Sequence, residues 1–137
     1  MPDRPGEIVV VGASVLVDIV VGTEYAAAAK ARLAGTVMHA PAHLDAEVLS
    51  ALERLQRAGE LTTVDVEAAL TALTAVPLTR HAVVELMIGA WSRRADLRLV
   101  DALYVELAAR LRAPVLTTDH RLARACPLAE SITPGDQ

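Results

Sequence analysis

Short, valine-rich apolar runs separated by stretches long enough for helices are the feature that most limits what this chain can fold into. The first run, residues 8–11, ends at Gly12, and similar runs occupy residues 36–40, 76–78 and 114–118. Runs of this kind are typical of buried strands, and helical crossovers are the usual way to join parallel strands. The alternation therefore predicts an α/β fold, with a mostly parallel central sheet in a three-layer α/β/α arrangement, formed by residues 1–137 as a single domain.

The apolar periodicity and the capping residues also place the helices and a last strand. Helices are predicted at residues 14–21, with Ser14 as the cap, and at 23–33, 42–58, 62–74, 81–93, 99–111 and 119–125. The tail, residues 131–137, is predicted to add one edge strand. In open α/β sheets the functional site lies beyond the carboxyl ends of the strands. This rule points to Gly12, to Pro41 with the helix that follows it, and to Asp119.

The composition excludes several classes of function. Aromatic residues make up only 2% of the chain and the formal net charge is −4, which argues against a base-stacking platform and against a protein that coats phosphates. Cys126 is the single cysteine, so an internal disulfide and a cysteine-rich zinc site are excluded. The sequence shows no signal peptide and no uninterrupted apolar stretch of membrane-spanning length, so we expect a cytoplasmic protein without a membrane partner.

Two acidic residues fall on the apolar faces of predicted helices. Glu47 lies in the same stripe as Leu44 and Val48, and Asp101 lies in the apolar sector that contains Tyr104. A carboxylate on a buried face costs several kcal/mol, by rough estimates, unless it is paired or bound to a metal ion. The pattern therefore marks Glu47 and Asp101 as candidate functional acids.

A third acid, Asp119, directly follows the run at 114–118, where Thr117 supplies a nearby hydroxyl. Each acid has a purely structural alternative: Glu47 as the partner of an arginine, and Asp101 and Asp119 as helix N-caps. All three, however, are predicted to lie near the same edge of the sheet. Converging carboxylates suit hard cations such as Mg²⁺ or Mn²⁺, which bridge phosphate oxygens and lower the pKa of an attacking water.

Four segments carry these acids in a recognisable order and spacing. They are Val9–Asp18 (VVVGASVLVD), Pro41 followed by residues 47–52 (EVLSAL), Asp101–Ala108 (DALYVELA) and Leu116–Leu122 (LTTDHRL). Together with the total length, they resemble the motifs of VapC-type PIN domains, and the resemblance covers nearly the whole chain. It implies a PIN-like α/β/α domain with Mg²⁺- or Mn²⁺-dependent endoribonuclease activity. It also implies that Glu47, Asp101 and Asp119 are catalytic metal ligands, with Thr117 as their polar neighbour.

The same resemblance implies a set of partners. VapC-type toxins of type II toxin–antitoxin systems act on RNA and pair with a small antitoxin, whose tail occupies the acidic groove. They form homodimers, and the toxin–antitoxin complex binds its own promoter DNA through the antitoxin. Near the two aspartates, five arginines are predicted either to hold RNA phosphates, or to form a solvated surface or pair with local acids: Arg93, Arg94, Arg98, Arg121 and Arg124.

Gly12 departs from the family pattern, in which the first strand ends in a metal-binding Asp. Losing even an outer partner of a ligand typically costs about 10–100-fold in metal affinity or activity, so losing a ligand costs at least that much. Two origins are open: a deliberate substitution that permits expression of a toxin, favoured because the other acids are intact, and natural decay to a binding-only protein. We expect an endoribonuclease toxin that is impaired or inactive; the alternative is a non-catalytic PIN-like module that binds an antitoxin and modulates promoter binding.

Overall fold

A computed structural model describes residues 5–135, and its central sheet has five strands that all run parallel. The strands are β1 (Ile8–Val11), β2 (Val37–Pro41), β3 (Leu78–His81), β4 (Val115–Thr117) and β5 (Ala129–Ser131), in the spatial order β3-β2-β1-β4-β5. The valines of β1 at positions 9, 10 and 11 are fully buried, because this strand lies in the middle of the sheet with helices on both sides. The predicted parallel α/β fold is confirmed.

Seven α-helices and one short 3₁₀ helix (Val83–Leu86) connect the strands within residues 5–135. The α-helices are α1 (Ala13–Val21), α2 (Ala26–Leu33), α3 (Leu44–Arg57), α4 (Thr63–Thr74), α5 (Met87–Trp91), α6 (Leu99–Leu111) and α7 (His120–Ala125). Helix α1 packs against α2, α3 and α4, whereas α6 packs against α5 and lies on β1 and β2. These two groups form the outer layers of the α/β/α arrangement. No helix in the described part of the chain has the length and apolar character needed to cross a membrane.

The core between these layers is aliphatic, as the shortage of aromatic residues requires. Its largest fully buried side chains include Leu16, Leu44, Leu52, Leu107 and Leu116. Burying a side chain of this size stabilises a fold by about 1.5–3 kcal/mol. Tyr104 of α6 also lies in this core, with 4% of its surface exposed, and its hydroxyl reaches the carboxyl edge of the sheet.

Four local predictions are wrong in their details. Ser14 does not cap α1, because Gly12 occupies the N-cap position; the Ser14 hydroxyl accepts a hydrogen bond from the Thr118 N–H instead. The third strand is Leu78–His81 rather than 76–78, because it pairs with β2 in a register that ends with Pro41 beside His81. This pairing extends the strand over the predicted start of the helix at 81–93.

The remainder of that predicted helix is divided between the 3₁₀ helix and α5, which ends at Trp91. The final edge strand exists, but it is Ala129–Ser131 and so overlaps the predicted range only at its first residue. Its position is set by pairing with β4, in which Thr117 lies beside Ser131. Residues 136 and 137 of the predicted strand lie outside the described residues.

Candidate active site

The carboxyl end of β1 is Gly12, whose N–H donates to the carbonyl oxygen of Leu116 on β4 at 2.9 Å. Its φ of −72° and ψ of 152° are open to any residue, so the backbone does not require glycine there. A Cβ at this position would lie 3.0 Å from that same carbonyl oxygen, and 3.9 Å from both the Ser14 hydroxyl and the Thr117 Cβ. An aspartate therefore fits after the neighbouring backbone shifts by a few tenths of an ångström, and its side chain would start beside Ser14 and Thr117.

Glu47 lies in the first turn of α3, which begins just after β2. Its Oε1 accepts a hydrogen bond from the Tyr104 hydroxyl at 2.6 Å and lies 3.3 Å from Nε2 of His43. Burial, and secondarily the hydrogen bond to this carboxylate, raise the pKa of Tyr104 far above its ordinary value, so the phenol stays protonated and donates. The His43 ring packs on the Tyr104 ring with centroids 5.0 Å apart. Glu47 is thus held by the Tyr104 hydroxyl and lies close to His43, whose ring nitrogens make no hydrogen bond to any described residue; sequence reasoning assigned neither side chain to the site.

Asp101 lies in the first turn of α6, where its Oδ2 accepts a hydrogen bond from Nε of Arg98 at 3.2 Å. The hydrogen bond and charge of Asp101 raise the pKa of Arg98, and the negative charges of Asp119 and Glu47 contribute in the same direction. All three predicted acids therefore raise the pKa of one guanidinium group, although they come from α3, α6 and the start of α7. The predicted acids share one electrostatic neighbourhood at the carboxyl edge of the sheet.

Asp119 follows β4 and caps α7, where its Oδ1 accepts from the Arg121 N–H at 2.9 Å. Burial by itself would raise the pKa of Asp119, but hydrogen bonds from the backbone and guanidinium of Arg121 outweigh it and lower that pKa below its ordinary value. Asp119 is therefore ionised at neutral pH. The N-cap alternative for this residue is correct as a description of its backbone role, and the cap is made through Oδ1.

Thr117 is the buried polar residue that joins this turn to the first strand, with 2% of its surface exposed. Its hydroxyl accepts from the Asp119 N–H at 2.9 Å and lies 3.4 Å from the Ser14 hydroxyl. Next to it, the Thr118 hydroxyl donates to Asp18 at 2.8 Å. These contacts fix the backbone from which Asp119 projects. Thr117 therefore positions Asp119 through its backbone.

The donor chemistry at this edge suits a hard divalent cation, since it consists of carboxylates. The side-chain arrangement does not: among residues 5–135, no three or more His, Cys, Asp or Glu side chains lie close enough together to hold a metal ion. Glu47 is engaged by Tyr104, Asp101 by Arg98 and Asp119 by Arg121, and position 12 offers no carboxylate. The residues present therefore do not form a complete metal centre.

The structure defines the protein as a parallel α/β/α domain with acids near the carboxyl edge of its sheet, an architecture that many functions share, and comparison with known proteins gives its family. The family described as PIN domain matches residues 9–127. The chain is 59% identical over 132 residues to Ribonuclease VapC3 of Mycobacterium tuberculosis, a match that covers 96% of each chain. The chain therefore belongs to the PIN-domain family and, within it, to the VapC-type ribonucleases, which confirms the resemblance seen in the sequence.

More distant relatives agree with this assignment. Ribonuclease VapC9 of Mycobacterium tuberculosis is 35% identical over 104 residues, covering 73% of this chain and 82% of that protein. Ribonuclease VapC12 of the same organism is 30% identical over 117 residues, covering 85% of this chain and 91% of that protein. A solved structure, the toxin-antitoxin complex from Klebsiella pneumoniae, superposes with a TM-score of 0.62 over 91% of this chain and 98% of that chain. At 15% identity, this last likeness shows the fold alone.

The arginines predicted around the acids fall into two groups. Arg98 and Arg121 pair directly with the candidate acids, at 3.2 Å from Asp101 and 3.4 Å from Asp119. Two of the other arginines contact residues outside the candidate acids: Arg93 pairs with Glu106, and Arg94 lies over the ring of Trp91 at 4.5 Å. Sequence reasoning missed Tyr104 and His43. The i,i+4 spacing of His43 and Glu47 on α3 could have signalled their proximity, whereas only the tertiary structure shows that Tyr104 of α6 donates to Glu47.

Proposed function

We propose that this chain is the toxin component of a type II toxin–antitoxin system, an Mg²⁺- or Mn²⁺-dependent endoribonuclease scaffold whose cleavage of RNA is impaired at Gly12. The observation that supports this most directly is the position of Arg98. It bonds to Asp101, and the charges of Asp119 and Glu47 also raise its pKa. The acids on which catalysis would depend all act on the charge of this one guanidinium group. The impairment follows from the residue at position 12, because Gly12 carries no carboxylate that could bind a metal ion.

The residues around the acids have identifiable tasks in this proposal. Tyr104 holds Glu47 through a hydrogen bond, and Thr117 holds the backbone of Asp119. Arg98 and Arg121 neutralise two of the carboxylates in the absence of other charges. RNA phosphates would offer these guanidinium groups alternative partners of the same charge, so binding of RNA would release the carboxylates. All of these groups survive in this chain, which leaves position 12 as the departure from the family pattern.

The test is a paired comparison of this chain with its Gly12→Asp variant. Both proteins are assayed for growth arrest on induction and for cleavage of total RNA with Mg²⁺ or Mn²⁺. We expect cleavage by the Asp variant that exceeds that of the parent chain by at least about 10–100-fold. Full metal-dependent cleavage by the parent chain would contradict the proposed impairment.

The site residues are tested in the Gly12→Asp background. Asp101→Ala and Asp119→Ala should each abolish cleavage, whereas Glu53→Ala, on the exposed side of α3 and paired with Arg57, is the matched control and should not. Cleavage that survives both aspartate substitutions would exclude the proposed site, even if the family assignment stands.

A second candidate function is a non-catalytic PIN-like module that binds an antitoxin and modulates promoter binding through it. The observation in its favour is the absence of a three-ligand group among residues 5–135, where each candidate acid has a protein partner. Exposed apolar side chains on and near α5, Val84, Ile88 and Trp91, offer a surface for a protein partner or a second copy in a homodimer. Copurification of a small partner, together with a Gly12→Asp variant that folds but cleaves no RNA, would favour this function. In either case we expect the protein in the cytoplasm.

A further inference from the structure

Two histidines on neighbouring strands form a pair that the proposed ribonuclease site does not use. His39 of β2 and His81 of β3 have their ring centroids 5.1 Å apart, and Nδ1 of His39 lies 2.9 Å from Nε2 of His81. Both side chains are half-buried, so each is accessible to solvent. We propose that this pair is a binding site for a single borderline divalent cation, Cu²⁺ or Ni²⁺, separate from the carboxylates at Glu47, Asp101 and Asp119.

The backbone fixes the pair without help from flexible loops. In the parallel pairing of β2 with β3, His39 lies beside Thr79 and Pro41 lies beside His81, so the two histidines are diagonal neighbours on one face of the sheet. Their Cα positions are therefore held by sheet hydrogen bonds, which lowers the entropy that binding an ion would otherwise cost. Two imidazoles on fixed strands, which can share an ion after each ring turns, suit a metal with high affinity for imidazole.

The type of ligand selects the class of ion. Nδ1 of His39 and Nε2 of His81 point at each other in a hydrogen bond of 2.9 Å, so each ring must turn before both lone pairs meet at one ion, at bond lengths of about 2.0–2.1 Å. Imidazole suits Cu²⁺, Ni²⁺ and Zn²⁺, and among these divalent ions the affinity is highest for Cu²⁺. Mg²⁺ is a poor match, because it prefers oxygen ligands.

The protonation and charge of the pair also suit a cation. A metal ligand must be unprotonated, and burial, followed by the neighbouring ring of His81, lowers the pKa of His39, so that the neutral His39 ring predominates at pH 7. The ring that now donates its proton in the N–H···N hydrogen bond would change to its other tautomer and turn its lone pair to the ion. No net proton needs to leave. The adjacent cation, Arg80, points to the opposite face of the strand and is neutralised by Asp45 at 2.7 Å.

The remaining coordination positions would be filled by water, because no three-ligand group of His, Cys, Asp or Glu exists within residues 5–135. Binding would therefore tie β3 to β2 at the edge of the sheet. An ion that binds the folded chain and not the unfolded chain raises the melting temperature by mass action. At an ion concentration of about ten times the Kd, a domain of this size should gain roughly 4 °C.

The experiment is a thermal unfolding titration of the full chain with Cu²⁺, Ni²⁺, Zn²⁺ or Mg²⁺ at neutral pH. We expect Cu²⁺ and Ni²⁺ to raise the melting temperature, with one ion bound per chain, and excess Mg²⁺ not to compete. His39→Gln and His81→Gln should each remove the shift, measured against the metal-free melting temperature of the same variant. His120→Gln, which changes a histidine that bonds to Ser131 on another part of the sheet, is the matched control and should keep it.

A readout that needs no variant is the electron paramagnetic resonance spectrum of the Cu²⁺-loaded parent chain. Coupling to two equatorial nitrogens supports the proposal, and a spectrum without nitrogen coupling overturns it. The proposal is also overturned if either histidine variant keeps the full shift, or if one ion binds per two chains, which would place the ion between copies. None of these outcomes depends on ribonuclease activity.

Discussion

Replacing Tyr104 with Phe isolates one hydrogen bond at the candidate site. The ring is buried, with 4% of its surface exposed, and Phe fills the same space, so the change leaves no cavity. What is lost is the 2.6 Å hydrogen bond from the phenol to the ionised carboxylate of Glu47. A hydrogen bond to a charged group contributes about 1.5–3 kcal/mol. Because the Glu47 side chain is 33% exposed and water can partly replace the phenol, we expect a loss of about 1–2 kcal/mol.

The assay is urea unfolding of the parent chain, Tyr104→Phe, Glu47→Ala and the double variant. The two changes should be non-additive, with a coupling of roughly 1 kcal/mol, because they remove the same contact. Tyr25→Phe, which changes the other tyrosine of the chain, is the control and should not couple to Glu47→Ala. Additive effects of Tyr104→Phe and Glu47→Ala, within about 0.3–0.5 kcal/mol, would show that Glu47 is not held by the phenol.

The pH dependence supplies a second check on the same contact. Burial and the Glu47 carboxylate raise the pKa of Tyr104 above its ordinary value of 10.0, so the folded chain binds this proton more tightly than the unfolded chain does. The stability that depends on the protonated phenol is therefore complete below pH 10.0 and is lost as the pH rises above it. The advantage of the parent chain over Tyr104→Phe should shrink above that pH. An advantage that stays constant up to pH 11 would refute a buried phenol.

Three further predictions concern other parts of the fold. Gly89→Ala should change stability by less than about 1 kcal/mol, because the helix propensity of Ala offsets the cost of displacing the Glu106 carboxylate, which two arginines hold; a loss of about 2 kcal/mol or more in urea unfolding would mean that this carboxylate cannot move. Stability should fall as the pH drops below 6.5, because burial and His81 lower the pKa of His39 in the folded chain, and His39→Gln should weaken this dependence. Thr62→Ala removes the capping box of α4 and should cost about 1 kcal/mol in thermal unfolding, with no change in RNA cleavage in the Gly12→Asp background.

Much of the architecture follows from local sequence signals. The valines of β1 and the glycine after them predict a buried strand and its end, because such a run is stable only between two covering layers. The parallel sheet follows from the alternation with helices, since parallel strands need long crossovers. The carboxyl-edge rule then places Gly12 and Asp119 together without any coordinates. That residues 1–137 form one domain stays a prediction.

The details of the site could not be read in the same way. The stripe on α3 predicts a buried Glu47, yet a third of its side chain is exposed, because the helix begins at the open edge of the sheet. Helical periodicity fixes which face of the helix a residue occupies. It does not say whether the neighbouring element covers that face over its whole length. The position of Arg98 relative to the three acids depends likewise on how α6 packs, which no spacing within the sequence contains.

The sequence by itself determined the fold class and the family and marked the candidate acids, because these depend on periodicity and motifs that are local in the chain. Only the tertiary structure decided which groups meet: Tyr104 with Glu47, which are 57 residues apart, and His39 with His81, which are 42 residues apart. The physical reason is that strand order and helix packing set the distances between remote residues. The strength of a hydrogen bond or a metal–ligand bond changes when such a distance changes by tenths of an ångström.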